Sequence, residues 1–197
     1  MKFEKPIQNS MDTERALEQE SAHAGERLAH QRFGVETLWK HHDFNAMFQS
    51  TISSVIAKFA ESLPFFFIAT ANRQGACDCS FRGREYDASG HAYALLKVID
   101  AKVLVFPDYS GNNFFNSLGN ILVNGQIGML CIDFENRLRV RINGHASVIE
   151  DRAAYANLWP TAQRYIQVRV EQVYGNCQSR IPRMQLMRPS DSFFQDE

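Results

Sequence analysis

The sequence predicts a mainly β protein of the α+β class, an antiparallel barrel with flanking helices. From residue 65 onward, short β-prone runs alternate with turn-forming residues. A single brief helical segment, residues 114–124, interrupts the main strands of that series. A parallel doubly wound sheet requires a helix between successive strands, so the order of elements favours the antiparallel barrel.

A helical arm is expected before the barrel. Residues 1 to about 40 are rich in helix formers and poor in large apolar groups, which predicts a loosely attached helix. Over residues 44–59 apolar side chains recur at steps of three and four, which predicts an amphipathic helix with Asp43 as its N-cap, ended by Pro64. The predicted domains are a helical arm packed on the barrel, residues 1–60, and the barrel itself, residues 61–190.

The barrel strands follow from runs of β-branched and aromatic residues bounded by turns. The segment 72–75 (NRQG) and the segment 100–102 (DAK) each predict a hairpin turn. The predicted strands are 65–71, 77–80, 92–99, 103–106, 126–132, 137–142 and 165–174, and the predicted helices are 114–124 and 151–159.

Composition excludes several classes of function. With 21 Lys+Arg against 22 Asp+Glu, the chain lacks the basic excess that nucleic-acid binding requires. The longest apolar stretch, residues 63–71, is too short to span a membrane, and the first residues do not resemble a secretory signal, so we expect a cytoplasmic protein. The four cysteines do not match the spacing of a zinc site, and we predict no metal.

Three segments carry side chains that could bind an anion. Arg82 precedes a glycine at a strand end, residues 106–113 form a turn-rich loop before a helix, and Arg139 belongs to an alternating Arg/aliphatic strand. Each pattern alone is also typical of a solvated turn or a half-exposed strand. Together they fit a phosphate monoester, which needs cations and amide donors converging on its oxygens.

The order of the motifs resembles the pyridoxamine-phosphate-oxidase-like family of FMN-binding split barrels, and most closely its flavin-nucleotide-binding branch. The resemblance covers about residues 60–183. It implies a six-stranded split barrel, a homodimer, and an FMN held at the subunit interface by both chains. The motifs are residues 63–71 (LPFFFIATA), 75–83 (GACDCSFRG), 104–112 (LVFPDYSGN), 116–121 (NSLGNI), 138–144 (LRVRING) and 174–177 (YGNC).

The resemblance assigns residues to the flavin phosphate. Lys97 falls where family members place a basic group near that phosphate. Asn112 and Asn113 stand where the oxidases carry an Arg-Lys clamp, so a positive charge is missing at Asn113. Arg82 and Lys97 are the cations available to compensate for it.

The resemblance also assigns residues to the rest of the flavin. Phe106 and Pro107 occupy positions whose backbone faces the isoalloxazine ring. Arg139 stands where the oxidases have a glutamine that contacts the flavin, and a cation there would stabilise the reduced ring. Asn120 is a further donor from the helix.

These observations lead us to expect an FMN-dependent oxidoreductase with an unknown small-molecule substrate. NADH or NADPH is the candidate electron donor. Because hydride chemistry belongs to the cofactor, no catalytic residue is nominated. The oxidases' substrate-binding Arg and His are not evident in residues 184–191, which argues against pyridoxamine phosphate as substrate. The alternatives are a flavin or haem carrier or sensor without turnover, and an interaction module without a ligand.

Overall fold

The computed structural model describes residues 23–39 and 47–187, in two compact units that meet in sequence between Phe48 and Gln49. In the first unit, helix α1 spans Ala24–Arg32 and helix α2 spans Glu36–Trp39. His23 caps α1, because its Nδ1 accepts a hydrogen bond from the Gly25 backbone N–H at 3.1 Å. The rest of the predicted arm, residues 1–22, lies outside the described residues.

The amphipathic helix of the second unit, α3, spans Ser54–Ser62 and is shorter than predicted. Ser53 is its N-cap and accepts a hydrogen bond from the Ile56 N–H at 3.3 Å. The predicted helix does not continue through residues 48–53, because Gln49 instead forms two backbone hydrogen bonds with Val173, at 2.9 and 2.6 Å. At Gln49, pairing with the sheet therefore prevails over the helical spacing of the apolar residues. The proposed cap, Asp43, lies outside the described residues.

One antiparallel sheet dominates the second unit, with a helix, α4, between its fourth and fifth strands. Within the described residues the strand order is β2-β1-β5-β6-β7-β4-β3. The sheet has seven strands rather than six, and the barrel is not closed, because its edge strands β2 and β3 do not pair. The elements are β1 Phe65–Ala71, β2 Cys77–Gly83, β3 Lys97–Asp100, β4 Val103–Asp108, α4 Asn116–Val123, β5 Gln126–Asp133, β6 Leu138–Ile149 and β7 Arg164–Gly175.

The helix predicted at 151–159 is wrong, since that segment forms successive turns. The Asp151 side chain accepts a hydrogen bond from the Ala153 N–H at 2.9 Å, which favours a turn. Tertiary contacts then fix the segment. The buried Trp159 donates from Nε1 to the Ala94 carbonyl at 2.5 Å, and the Tyr165 hydroxyl donates to the Arg152 carbonyl at 2.8 Å.

The core fills the concave side of the curled sheet and brings distant strands together. Phe66 of β1 and Phe106 of β4 are both fully buried, and their rings meet edge to face at 5.2 Å between centroids. Such a pair contributes about 0.5–1.5 kcal/mol beyond its buried area. Because β1 and β4 are not neighbours in the sheet, this contact holds the β2–β1 end opposite β4. No helix among the described residues has the length and apolar character needed to cross a membrane.

Candidate functional site

Two adjoining cavities lie between the β2 end of the sheet and β4. The polar cavity has a volume of about 310 Å³ and the aromatic cavity about 200 Å³. Both are bordered by Phe81, Arg82, Tyr109, Ser110 and Gly111. The polar cavity is further lined by Asp78, Ser80, Asp108, residues 112–118, Gln163 and Arg164, and the aromatic cavity by Phe66, Gly83, Leu95, Phe106 and Pro107.

A buried carboxylate joins two arginines in the polar cavity. Asp108 is only 8% exposed, and its Oδ1 accepts a hydrogen bond from Arg82 Nη1 at 3.3 Å. Its Oδ2 lies 3.6 Å from Arg164 Nε, an ion pair that follows from the register of β4 and β7, where Asp108 is opposite Arg164. A guanidinium has five N–H groups, so both arginines keep donors for a ligand. These two residues are called the cavity arginines below.

The loop that enters α4 forms a second wall of the polar cavity. Asn113 and Phe115 have left-handed backbones, with φ of 61° and 54°, and Asn tolerates this conformation better than Phe. The Arg164 guanidinium lies over the Phe115 ring, 5.4 Å from its centroid. Phe115 gives α4 no side-chain cap, so the first backbone N–H groups of the helix are open to an acceptor.

A hydroxyl network forms the far side of the same cavity. The buried Ser117 donates from Oγ to Asp78 Oδ2 at 3.0 Å and lies 2.8 Å from Ser80 Oγ. Asp78 and Asp108 together balance the charges of the two cavity arginines. The cavity can therefore bind an anion through directed hydrogen bonds from guanidinium and backbone N–H groups rather than through an excess of positive charge.

Five of the residues predicted for the flavin line these cavities. Arg82, Asn112 and Asn113 border the polar cavity. Phe106 and Pro107 border the aromatic cavity, and Arg82 borders both. Segments that are far apart in sequence thus meet around one site.

The other three predicted residues make their contacts elsewhere. Lys97 Nζ forms an ion pair with Glu61 Oε1 at 3.0 Å. Asn120 donates from Nδ2 to Thr70 Oγ1 at 3.1 Å. Arg139 donates from Nη2 to the backbone carbonyl of residue 177 at 3.4 Å. The structure places these side chains outside the lining of either cavity.

Sequence reasoning missed several polar residues of the site, including the buried carboxylate of Asp108. Asp78 and Ser80 could have been found, because they alternate with Arg82 along β2 and so share its inward face. Ser117 and Arg164 gave no such signal. Arg164 reaches the site only through the pairing of β7 with β4.

Tyr109 contributes a phenol to the boundary of both cavities. Burial is the main reason that its pKa lies well above the ordinary value, and the nearby Glu85 carboxylate raises it further. The Tyr109 hydroxyl is buried and has no hydrogen-bond partner among the described residues. It stays protonated at neutral pH, and because its oxygen is buried, Tyr109 borders the cavities with its ring rather than with its hydroxyl.

The described residues contain no group of three or more His, Cys, Asp or Glu that could hold a metal ion. The arrangement is that of an open antiparallel α+β barrel in which a polar cavity adjoins an aromatic one. A sequence model of pyridoxamine 5'-phosphate oxidase matches residues 52–188, and the chain belongs to that family. The resemblance of the motifs is thereby confirmed.

Several solved structures are similar to this chain. A candidate pyridoxamine 5'-phosphate oxidase from Lactobacillus delbrueckii matches with a TM-score of 0.50 at 14% identity, covering 64% of this chain and 95% of that one. An FMN-binding protein from Syntrophomonas wolfei gives 0.41 at 10% identity, covering 67% and 88%. The haem storage protein HutZ from Vibrio cholerae gives 0.40 at 14% identity, covering 62% and 93%. No curated protein sequence matches the chain.

Proposed function

We propose that this protein binds FMN in the two adjoining cavities and acts as an FMN-dependent oxidoreductase on a small molecule. The observation that carries the proposal is the pairing of a donor-rich polar cavity with an aromatic one. FMN combines a phosphate monoester with a flat tricyclic ring, so it offers one group to each cavity. Bound FMN supplies the hydride chemistry, and the protein binds and orients it.

The polar cavity is the proposed phosphate subsite. Arg82 and Arg164 supply the cations, and the loop residues Asn112 and Asn113 supply amide donors. The positive charge that is missing at Asn113 is provided by Arg164, which borders the same cavity from β7. Phosphate binding therefore does not require Lys97.

The aromatic cavity is the proposed ring subsite. Phe66 and Leu95 form a buried apolar wall, and Phe106 and Pro107 of β4 form another. Apolar walls exclude water from one side of the ring, and Tyr109 lies where the two subsites meet.

A second copy of the chain is the proposed cover of the site. Phe81 and Phe114, 59% and 76% exposed, flank the polar cavity, and Leu122 is exposed on α4. Exposed aromatic groups around a cavity are typical of an interaction surface, and a two-fold dimer buries the same surface of both chains. Arg139 lies outside the cavities of its own chain, so in this proposal it would serve the flavin of the second copy.

Absorbance spectroscopy of the purified protein, followed by titration with FMN, tests the proposal. We expect flavin bands, tighter binding of FMN than of riboflavin, reduction by NADH or NADPH, and a dimer in sedimentation. A protein that does not bind FMN would overturn the proposal. Bound flavin that neither nucleotide reduces would favour a carrier, and a monomer that retains flavin would count against the interface site.

A haem carrier or sensor is the alternative, and a Soret band in the same spectrum would support it. The residues that line the two cavities include no His, Cys or Met, which are the usual axial ligands together with Tyr. The lining includes Tyr109, but its hydroxyl oxygen is buried and does not face the cavities. The cavity lining thus favours the flavin.

A further inference from the structure

Asp108 connects parts of the sheet that do not pair with each other. Arg82 belongs to the edge strand β2, whereas β4, which carries Asp108, pairs with β7 and β3. The carboxylate accepts a hydrogen bond from Arg82 at 3.3 Å across the open side and lies 3.6 Å from Arg164 on β7. One buried side chain therefore contacts the cations of both walls.

The cavity arginines leave part of their donor capacity unused. Arg164 turns Nε toward Asp108, which leaves free its Nη1/Nη2 end, the end that binds two phosphate oxygens in parallel. Arg82 uses Nη1 for Asp108, and its Nη2 makes no hydrogen bond among residues 23–39 and 47–187, whereas its Nε is buried away from the cavity. The two arginines can therefore hold Asp108 and a phosphate at the same time.

Removing the Asp108 charge would change phosphate affinity in two opposite ways. The cavity would lose a negative charge, which strengthens its attraction for an anion. The two guanidinium groups would also lose their common anchor and repel each other across the opening. Arg82 and Arg164 have side chains 24% and 27% exposed, so each has room to move outward. An arginine side chain regains rotamer entropy when it is released, which favours this movement.

We propose that Asp108 is a positioning residue that holds Arg82 and Arg164 for a flavin phosphate and thereby makes the site prefer FMN to riboflavin. The inference rests on the proposed function and specifies how its phosphate subsite is organised. Asp108 acts through the two arginines. The loss of positioning outweighs the gain in charge, because Asp108 is the one side chain among the described residues to which Arg82 donates a hydrogen bond.

The variant Asp108→Asn tests this, since it keeps the size of the side chain and removes its charge. Titrations with FMN and with riboflavin, followed by flavin fluorescence, give two dissociation constants for each protein. We expect the preference for FMN over riboflavin to fall about tenfold or more, with the riboflavin constant changed by less than about twofold. A purely structural role would weaken both ligands alike.

Asp133→Asn is the matched control. Asp133 is a partly buried carboxylate at the end of β5 that accepts a hydrogen bond from Asn136 Nδ2 at 2.7 Å and lines neither cavity. The control should keep the wild-type preference. An Asp108→Asn preference equal to or above that of the wild type overturns the inference while the proposed function stands. A wild type that binds neither flavin overturns both.

Asp108→Glu keeps the inference testable if Asp108→Asn does not fold. It retains the charge but moves the carboxylate by about 1.5 Å, one carbon–carbon bond. We expect the preference for FMN to fall about threefold or more, because the arginines are displaced from the cavity. A preference equal to that of the wild type overturns the inference.

Discussion

Two groups of arginines in this protein differ in what holds them. The cavity arginines, Arg82 and Arg164, come from different ends of the sheet and share one buried carboxylate. The strand arginines, Arg137, Arg139 and Arg141, lie at alternate positions on β6 and the turn before it, and they donate hydrogen bonds to backbone carbonyls or an amide of the segment that follows β7. Anchored guanidinium groups from distant strands can converge on one ligand, whereas a row on one strand spreads its charge along that strand.

The alternation of arginines in the sequence does not predict which arginines border the cavity. Three arginines at alternate positions are conspicuous in a sequence, but each reaches a different residue, Gln178, Cys177 or Asn176. Arg164 is not part of any pattern. Its place beside Arg82 depends on strand pairing between β4 and β7, which is a property of the folded sheet.

Arg82→Ala should have the largest effect on flavin binding. Because Arg82 borders both cavities and donates to a buried carboxylate, its loss should weaken FMN affinity by about 1.5–3 kcal/mol, or roughly 10- to 150-fold. Fluorescence titration of FMN measures this. Arg137→Ala removes the same side chain from the strand group and should change the affinity by less than about twofold. An equal loss of FMN affinity in both variants would show that the cavity arginines contribute no more to FMN binding than the strand arginines do.

Lys97→Ala should have a smaller effect, and on stability rather than on FMN affinity. The Lys97 side chain is 45% exposed and pairs with Glu61 at 3.0 Å, so solvent screens the interaction. We expect the free energy of unfolding to fall by about 1 kcal/mol or less. Urea denaturation measures the stability, and the FMN titration serves as the second readout. A tenfold loss of FMN affinity would place the phosphate next to Lys97, as the family resemblance suggests.

The smallest predicted effect concerns the reactivity of Cys177, a thiol that lies near the strand arginine Arg139. Hydrogen bonds from Ser179 lower the pKa of the exposed Cys177 thiol, and the nearby Arg139 charge lowers it further. Burial raises the pKa of Cys131 to about 12. At pH 8, iodoacetamide should therefore modify Cys177 long before Cys131, since the thiolate is the reactive form.

Two variants separate the causes that lower the pKa of the Cys177 thiol. Ser179→Ala should raise the pH midpoint of Cys177 alkylation, and Arg139→Ala should raise it by a smaller amount. Peptide mass spectrometry after timed alkylation gives the rate for each thiol. A larger shift in Arg139→Ala than in Ser179→Ala would contradict this order, as would rapid modification of Cys131 in the folded protein.

Local signals predicted the first hairpin well. The run 65–71 and the turn 72–75 form β1 and its tight connection, because Asn72 accepts hydrogen bonds from the backbone N–H groups of Gln74 and Ala76 at 3.0 Å each. The extent of β2 was underestimated. Its inward residues are polar because they line a cavity, so hydrophobic alternation did not mark them.

Elements fixed by distant contacts were predicted less well. The segment 151–159 has helix-forming residues, but Trp159 packs with Tyr155 and Tyr165 and donates to Ala94, which favours turns. The predicted helix is interrupted before α3 for a similar reason, since Gln49 pairs with Val173. In the candidate site, Arg82 and Asn112 could be nominated from turns at strand ends. Asp108 and Arg164 could not be predicted from the sequence. They join the site only because β2 faces β4 in the folded sheet and β4 pairs with β7.

A crystal structure of the protein with FMN tests the central claim most directly. We predict phosphate oxygens within about 3 Å of guanidinium nitrogens of both Arg82 and Arg164, with Asp108 still in contact with the two side chains. The isoalloxazine ring should lie along Phe106 and Pro107. A phosphate bound at Lys97 or along Arg137, Arg139 and Arg141, with the polar cavity filled only by water, would contradict the account.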